Sequence, residues 1–285
     1  SDVCSSDLVE GVNFMIENGR ILPFNFYFGA SPCVPATCFE TSGAILSEAE
    51  IDMLLRKQEI KYLSEMMNYP GVINNDPEVM QKIAIAKKHR KPIDGHAPGL
   101  KGDELERYVR AGISTDHETF QYEEGLEKIL LGMKLIVREG SAAKNFDALY
   151  PLVIEYPNRC MFCSDDKHPD DLVSGHINEM VKKALRMGID VMTVLKCACL
   201  MPVIHYGLDT GLLRIGDYAD FIEVDNLENF DVLRTYINGE IVAEHGKTLL
   251  PHMPVPILNK FCVEEKKVSD FFIPNSGRPV KVIEV

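Results

Sequence analysis

The stretch IKYLSEMMNYPGVINNDPEVMQKIAIAKKHRKPIDGHAPGLKGDELERYVRAGISTDHE, residues 60–118, decides the architecture. Three short apolar runs in it each end on a reactive side chain: Glu65, His96 and His117. Two segments of helical spacing separate them. Asp76-Pro77 reads as an N-cap followed by proline in the first helical position, leading into Met80, Ile83 and Ala84. Leu105, Tyr108 and Val109 make the next stripe, which runs to Gly112, a residue suited to closing a helix. An alternation of strand, polar tip and helix implies a parallel sheet, because parallel neighbours need a long crossover between them.

The same pattern extends outward. Upstream, apolar runs end near Ser31 and Leu46, and Ser47 with Glu50 forms a capping box that opens the Ile51, Leu54, Leu55 stripe. Downstream, runs end near Glu139 and Ser164, and Ile177, Met180, Val181, Ala184 and Leu185 form a stripe stopped at Gly188. Reactive residues follow strands and never precede them, as on the catalytic face of a (β/α)8 barrel. About seven strand units are present, one short of eight. The expected fold class is therefore α/β: an incomplete (β/α)8 TIM-type barrel over residues 1–201. A small β-sandwich-like domain is expected over 202–253, where GLLRIGDYADFIEVDNLENFDVLRTYINGEIVAEHGKTL reads as short strands joined by turns and Asn238-Gly239 signals a hairpin. Residues 254–285 are proline-rich, end in the strand-like VKVIEV, and read as the start of a further domain.

Composition narrows the function. A formal net charge of −13 argues against binding a phosphate backbone, so no nucleic-acid partner is expected. No apolar run reaches the length of a membrane span, and the opening SDVCSSDLVEG lacks the organisation of a signal peptide. Eight scattered cysteines do not make a disulfide scaffold, and Cys160 with Cys163, lacking a second pair, read as buried strand thiols. A reducing cytoplasmic location is the expectation.

Four polar tips carry the chemistry: Glu65, His96, His117 and the pair Asp165-Asp166 after CMFCS. They are far apart in sequence, yet all would meet at one barrel mouth if each strand end contributes one. Two imidazoles with carboxylates suit Zn, Mn or Fe. A lone strand-end histidine is more often a hydrogen-bonded structural residue; four tips recurring in register are harder to explain that way. His89, His205, His245 and His252 read as structural or solvent-facing, His168 as able to reach a pocket, and His176 as a capping or packing residue. Competing metal and phosphate signatures fail: Gln121 stands where HExxH needs its second histidine, and neither HxE…PCxxC nor GxxxxGK[ST] occurs.

Seven motifs occur in order: SPCVPAT (31–37), FETSGA (39–44), EMMNYPGVI (65–73), DGHAPGLKG (94–102), AGISTDHE (111–118), REGSAAKN (138–145) and FCSDDKHPDDL (162–172). Together they closely resemble the bacterial and archaeal adenine deaminases, metal-dependent members of the amidohydrolase superfamily. DTGLLRIGDYADFIEVD resembles the segment in which amidohydrolases return from barrel to β domain. The resemblance implies hydrolysis of adenine to hypoxanthine and ammonia by a metal-bound hydroxide, a step of purine salvage. It implies a binuclear Mn or Fe site, with Zn as the alternative, and a homo-oligomer in the intact protein. Glu65 would bridge the metals and His96 and His117 would each bind one. Of the two adjacent aspartates, Asp165, the first after the strand, is favoured over Asp166 to ligate metal and shuttle the proton, with Glu118 and Asp166 as further catalytic groups at the purine. Arg138, Glu139, Ser141 and His168 would line the substrate pocket.

One departure stands out. The family's first barrel strand carries a His-x-His pair that holds the more buried metal, and this sequence contains no His-x-His. The expectation is a chain that lacks the first strand and the family's C-terminal domain, with one metal site incomplete and little or no turnover by itself. Two other readings stay open: an amidohydrolase acting on a cyclic amide or another aminopurine, and a truncated barrel that does no catalysis.

Overall fold

A computed structural model describes residues 3–37, 39, 45–255, 264–274, 277 and 279, with side chains from residue 9 onward. Most of the FETSGA motif and all of VKVIEV lie outside the described residues. Helix α1 (Val3–Arg20) leads to strand β1 (Phe28–Ala30), and then helix and strand alternate. They run α2 (Glu48–Leu55), β2 (Ile60–Met66), α3 (Tyr69–Ile73), α4 (Pro77–Lys88), β3 (Ile93–Gly95), α5 (Gly102–Arg110) and β4 (Thr115–Asp116). The series continues with α6 (Tyr122–Leu130), β5 (Lys134–Arg138), α7 (Phe146–Glu155), β6 (Cys160–Cys163), α8 (Pro169–Ser174) and α9 (Ile177–Arg186).

Local signals set the helix ends. Ser47 and Glu50 form the reciprocal capping box of α2, and Asp76 accepts from the backbone of Glu78 and Val79 at the start of α4. Each satisfies amides that a helix start would otherwise leave unpaired. Most of the apolar run ending at Leu46 lies outside the described residues. Leu46 is buried in irregular backbone, its amide donating to Val34 O at 3.0 Å. Six parallel strands are seen among the described residues.

Strands β1, β2 and β3 pair in that order, as do β4, β5 and β6, all parallel. The two sets meet at β3 and β4, where Ser114 N donates to Ile93 O at 2.9 Å and Gly95 N to Thr115 Oγ1 at 3.3 Å. Gly95 has to be glycine, because a Cβ there would lie 2.3 Å from Thr115 O. Two apolar cores follow this division. One gathers Leu46, Leu54, Leu63, Ile83, Ile93 and Leu105; the other gathers Leu135, Val137, Phe146, Leu152, Phe162 and Val181. The α/β fold of parallel strands alternating with helices, expected from the sequence pattern, is the one observed.

After α9, helix α10 (Val191–Leu195), a π turn at Lys196–Leu200 and α11 (Met201–Tyr206) form one continuous helical stretch. Pairing resumes at β7 (Phe221–Val224), β8 (Val232–Ile237), β9 (Glu240–Glu244) and β10 (Lys247–Thr248), an antiparallel sheet in the order β10-β9-β8-β7. Asn238 and Gly239 turn between β8 and β9 with φ of 53° and 83°, the left-handed backbone that a two-residue hairpin demands. The chain divides into a unit Ser1–Met253 and a short unit Pro254–Val285, in which the described backbone forms a 3-10 turn at Val268–Phe271. No helix among the described residues is long and apolar enough to cross a membrane.

Leu63, fully buried in the middle of β2, is paired to Ala30 on one side and Ile93 on the other. Leu63→Ala is expected to lower the unfolding free energy by about 2–5 kcal/mol, the range for a buried leucine truncated in a packed core. Urea denaturation followed by circular dichroism measures it.

Candidate metal centre

Three strand ends bring the donors together. Glu65 is the penultimate residue of β2, while His96 directly follows β3 and His117 directly follows β4. Glu65 Oε2 lies 3.0 Å from His96 Nδ1 and 3.1 Å from His117 Nε2. The two imidazole rings meet edge to face, with centroids 5.5 Å apart. Glu118 adds a second carboxylate, its Oε1 3.5 Å from His96 Nδ1 and 3.6 Å from His117 Nε2.

Burial opposes ionisation of Glu65, yet the hydrogen bonds and charges of His117 and His96 outweigh it and hold the carboxyl well below its ordinary range. For His117, burial favours the neutral ring, but Glu65, Asp116 and Asp165 together raise its pKa above the usual histidine value. Nearby negative charge of this kind attracts a cation.

Beyond the imidazoles a guanidinium links two acids. Arg138, the last residue of β5 and 4% exposed, pairs with Glu118 Oε2 at 2.7 Å and with Asp165 Oδ2. Its buried Nε has no hydrogen-bond partner among the described residues, and its guanidinium carbon lies 5.5 Å from the centre of the Phe120 ring. Asp165 adopts left-handed backbone, with φ of 55°. Glu139 pairs with Lys183 at 3.2 Å. Ser141 Oγ accepts from His168 N and donates to Asp171, and Ser141 N donates to Asp166 O. Thus Glu65, His96, His117 and Glu118 converge, Arg138 and Asp165 adjoin them, Glu139 is paired with Lys183, and Ser141 links the His168 amide to Asp171. His176 Nε2 lies 2.9 Å from Ser164 Oγ, one residue from Asp165.

Several supporting residues escape a reading of the sequence. Tyr108 Oη donates to Met66 O at 2.9 Å and accepts from His96 N at 3.0 Å, clamping the ends of β2 and β3. Asn145 Nδ2 donates to His117 O and Thr119 O, while its Oδ1 accepts from Arg138 N. Tyr108 counts as an apolar stripe residue by spacing, and Asn145 carries no periodic signal. Buried Asp116 is also missed. Desolvation pushes its pKa up, but Lys128, Thr119 and the Ala97 amide prevail and hold it below the ordinary carboxylate range.

The donor set fits a divalent ion. Two atoms that each bind one ion at about 2.1 Å, at angles between a right angle and a tetrahedral one, are about 3.0–3.4 Å apart. The observed 3.0 and 3.1 Å from Glu65 Oε2 to the two imidazole nitrogens satisfy that spacing. Ligand atoms of Glu65, His96 and His117 all lie within 4.8 Å of one another. Asp165 is not in this group, since its carboxylate is turned to Arg138.

The Amidohydrolase family model matches residues 3–242, most of the chain. The chain belongs to the amidohydrolase family. Among its relatives within that family, an adenine deaminase of Sulfurovum sp. is 58% identical over 93% of this chain and 50% of its own length. An adenine deaminase of Salinibacter ruber is 53% identical over 96% of this chain and 50% of its own. The chain spans about half the length of the curated relatives it matches. Two solved structures share the fold at low identity. A beta-aspartyl dipeptidase of Fervidobacterium islandicum AW-1 aligns with TM-score 0.61 and 14% identity, covering 86% of this chain and 71% of that one. An N-acetyl-D-glucosamine-6-phosphate deacetylase of Mycobacterium smegmatis aligns with TM-score 0.58 and 15% identity, covering 82% and 70%.

Glu65 Oε2 lies within 3.1 Å of both imidazoles. Glu65→Gln is expected to abolish tight uptake of Mn or Zn while leaving the fold intact. Metal content after equilibrium dialysis, read beside the circular dichroism spectrum, checks both halves.

Proposed function

We propose that this chain supplies the metal-binding and proton-transfer residues of an adenine deaminase, which hydrolyses adenine to hypoxanthine and ammonia. The observation that carries the reading is the joined array Glu65–His96–His117–Glu118–Arg138–Asp165, three metal donors running straight into an arginine-bridged pair of acids. Relatives bearing the adenine deaminase name at 58% and 53% identity support the choice of substrate.

Glu65, His96 and His117 would hold a divalent cation, with Mn or Fe favoured by a mixed carboxylate and imidazole set and Zn as the alternative. When bound, such an ion lowers the pKa of a coordinated water from about 15.7 to near 7. The protein's own groups do the rest. Asp165 takes one proton from the attacking water as the C6–O bond forms and the ring C=N bond opens, and delivers it to the amine. The exocyclic C6–N bond then breaks when the tetrahedral carbon collapses and nitrogen leaves as ammonia, while the second water proton ends on the ring nitrogen. Glu118, whose carboxylate already faces both imidazoles, serves the ring nitrogen that gains electron density as C6 becomes tetrahedral. Asp166, whose backbone carbonyl accepts from Ser141 N, is the alternative for that role. Arg138 orients both acids from one planar guanidinium, and Phe120 beneath it offers an apolar face to a flat base.

The test is made on the full-length gene product. Ammonia and hypoxanthine should appear together from adenine and cease on metal chelation. Asp165→Asn should lower kcat by about 100-fold or more, the usual worth of a placed general base. Undiminished turnover in that variant would remove Asp165 from the chemistry, and failure of the unmodified protein to release ammonia from adenine would reject the substrate.

A further inference from the structure

Beneath the two histidines lies a buried charged cluster that takes no part in the reaction just described. Lys128 on α6 is fully buried, as is Asp116, and Glu124 is 3% exposed. Lys128 Nζ has four oxygens around it: Ala97 O at 2.8 Å, Asp116 Oδ2 at 3.0 Å, Thr119 Oγ1 at 3.1 Å and Glu124 Oε1 at 2.6 Å. A lysine withdrawn from water is tolerated only where such partners replace its hydration.

The partners of that cluster are the backbone groups beside the metal donors. Ala97, next after His96, has its N–H donating to Asp116 Oδ1 at 2.8 Å and its carbonyl accepting from Lys128. The amide that joins His117 to Glu118 donates to Asp116 Oδ2 at 3.1 Å. Gly99 N, further along the His96 loop, donates to Glu124 Oε1 at 2.9 Å. One ammonium therefore closes a ring of hydrogen bonds through the peptide after His96 and the peptide after His117, which sit on different strands.

We infer that Lys128 is a positioning residue for the metal centre: by binding Asp116 and Ala97 together it fixes the spacing of His96 and His117. This rests on the assignment of those histidines as metal donors. A lysine that only filled the core would leave metal affinity alone once the protein had folded. A positioning lysine controls the distance between two donors, so its loss weakens binding even in a folded chain. Groups that orient metal ligands from behind are typically worth about 10- to 100-fold in affinity.

The experiment measures Mn affinity of the metal-free, full-length gene product by competition with a fluorescent chelator, with thermal unfolding recorded in parallel. Lys128→Met is expected to bind Mn at least about tenfold more weakly while its circular dichroism spectrum is retained. Glu124→Gln, which perturbs the same cluster but leaves the ties to Ala97 and Glu118, should stay within about threefold of the unmodified protein, well short of the loss expected for a ligand-orienting group. Should Lys128→Met not fold, Asp116→Asn carries the same expectation, because it neutralises the charge that Lys128 holds. Unaltered Mn affinity in either folded variant, Lys128→Met or Asp116→Asn, would overturn the inference alone. Failure of the unmodified protein to bind Mn would instead overturn the metal assignment, and this inference with it.

Discussion

Glu65 holds a carboxylate oxygen between two imidazole nitrogens, and the surrounding structure is organised around the cost of doing so. A partly buried anion is unfavourable unless hydrogen bonds or opposite charge compensate it. Here the compensation comes from residues on separate strands, so it exists only when β2, β3 and β4 lie side by side in register. Electrostatics and topology are therefore coupled: the sheet assembles the charge cluster, and the cluster rewards that assembly. A cation entering the site would take over the role that the imidazole protons play for Glu65.

The barrel type explains why short, unremarkable tips suffice. Parallel strands place their C-terminal ends on one rim, so each strand needs to contribute only one or two reactive residues. The demanding part is precision between strands, which lies in buried polar groups under the rim. Tyr108 ties β2 to β3, and Asn145 ties the loop after β4 to the end of β5. Asp116 with Lys128 ties β4 to the loop after β3. Each is a side chain bonded to backbone, which fixes where the chain runs and leaves the facing side chains free for chemistry.

Much of this could be read from the sequence, for identifiable reasons. Capping signals at Ser47 and Asp76 are local and were legible as such, as was the hairpin at Asn238-Gly239. The tips Glu65, His96 and His117 stood out because polar residues closing apolar runs break a visible pattern. Lys128 and Glu124 stayed hidden because an i, i+4 acid–base pair on a helix usually faces water. Here the end of β4 and the loops after β3 and β4 cover that face. The pairing of Asp165 with Arg138 was equally invisible, for it depends on the fold of a loop with left-handed backbone.

Gly95 has a consequence for how this centre tolerates change. Its position against Thr115 O leaves no room for even a methyl group, and the next residue along is His96. Any replacement would push β3 away from β4 and carry the imidazole with it. Position 95 thus has an alphabet of one letter, imposed by packing and not by reactivity. In a random mutagenesis screen it should register as severely as a metal donor, although it contributes no atom to the reaction.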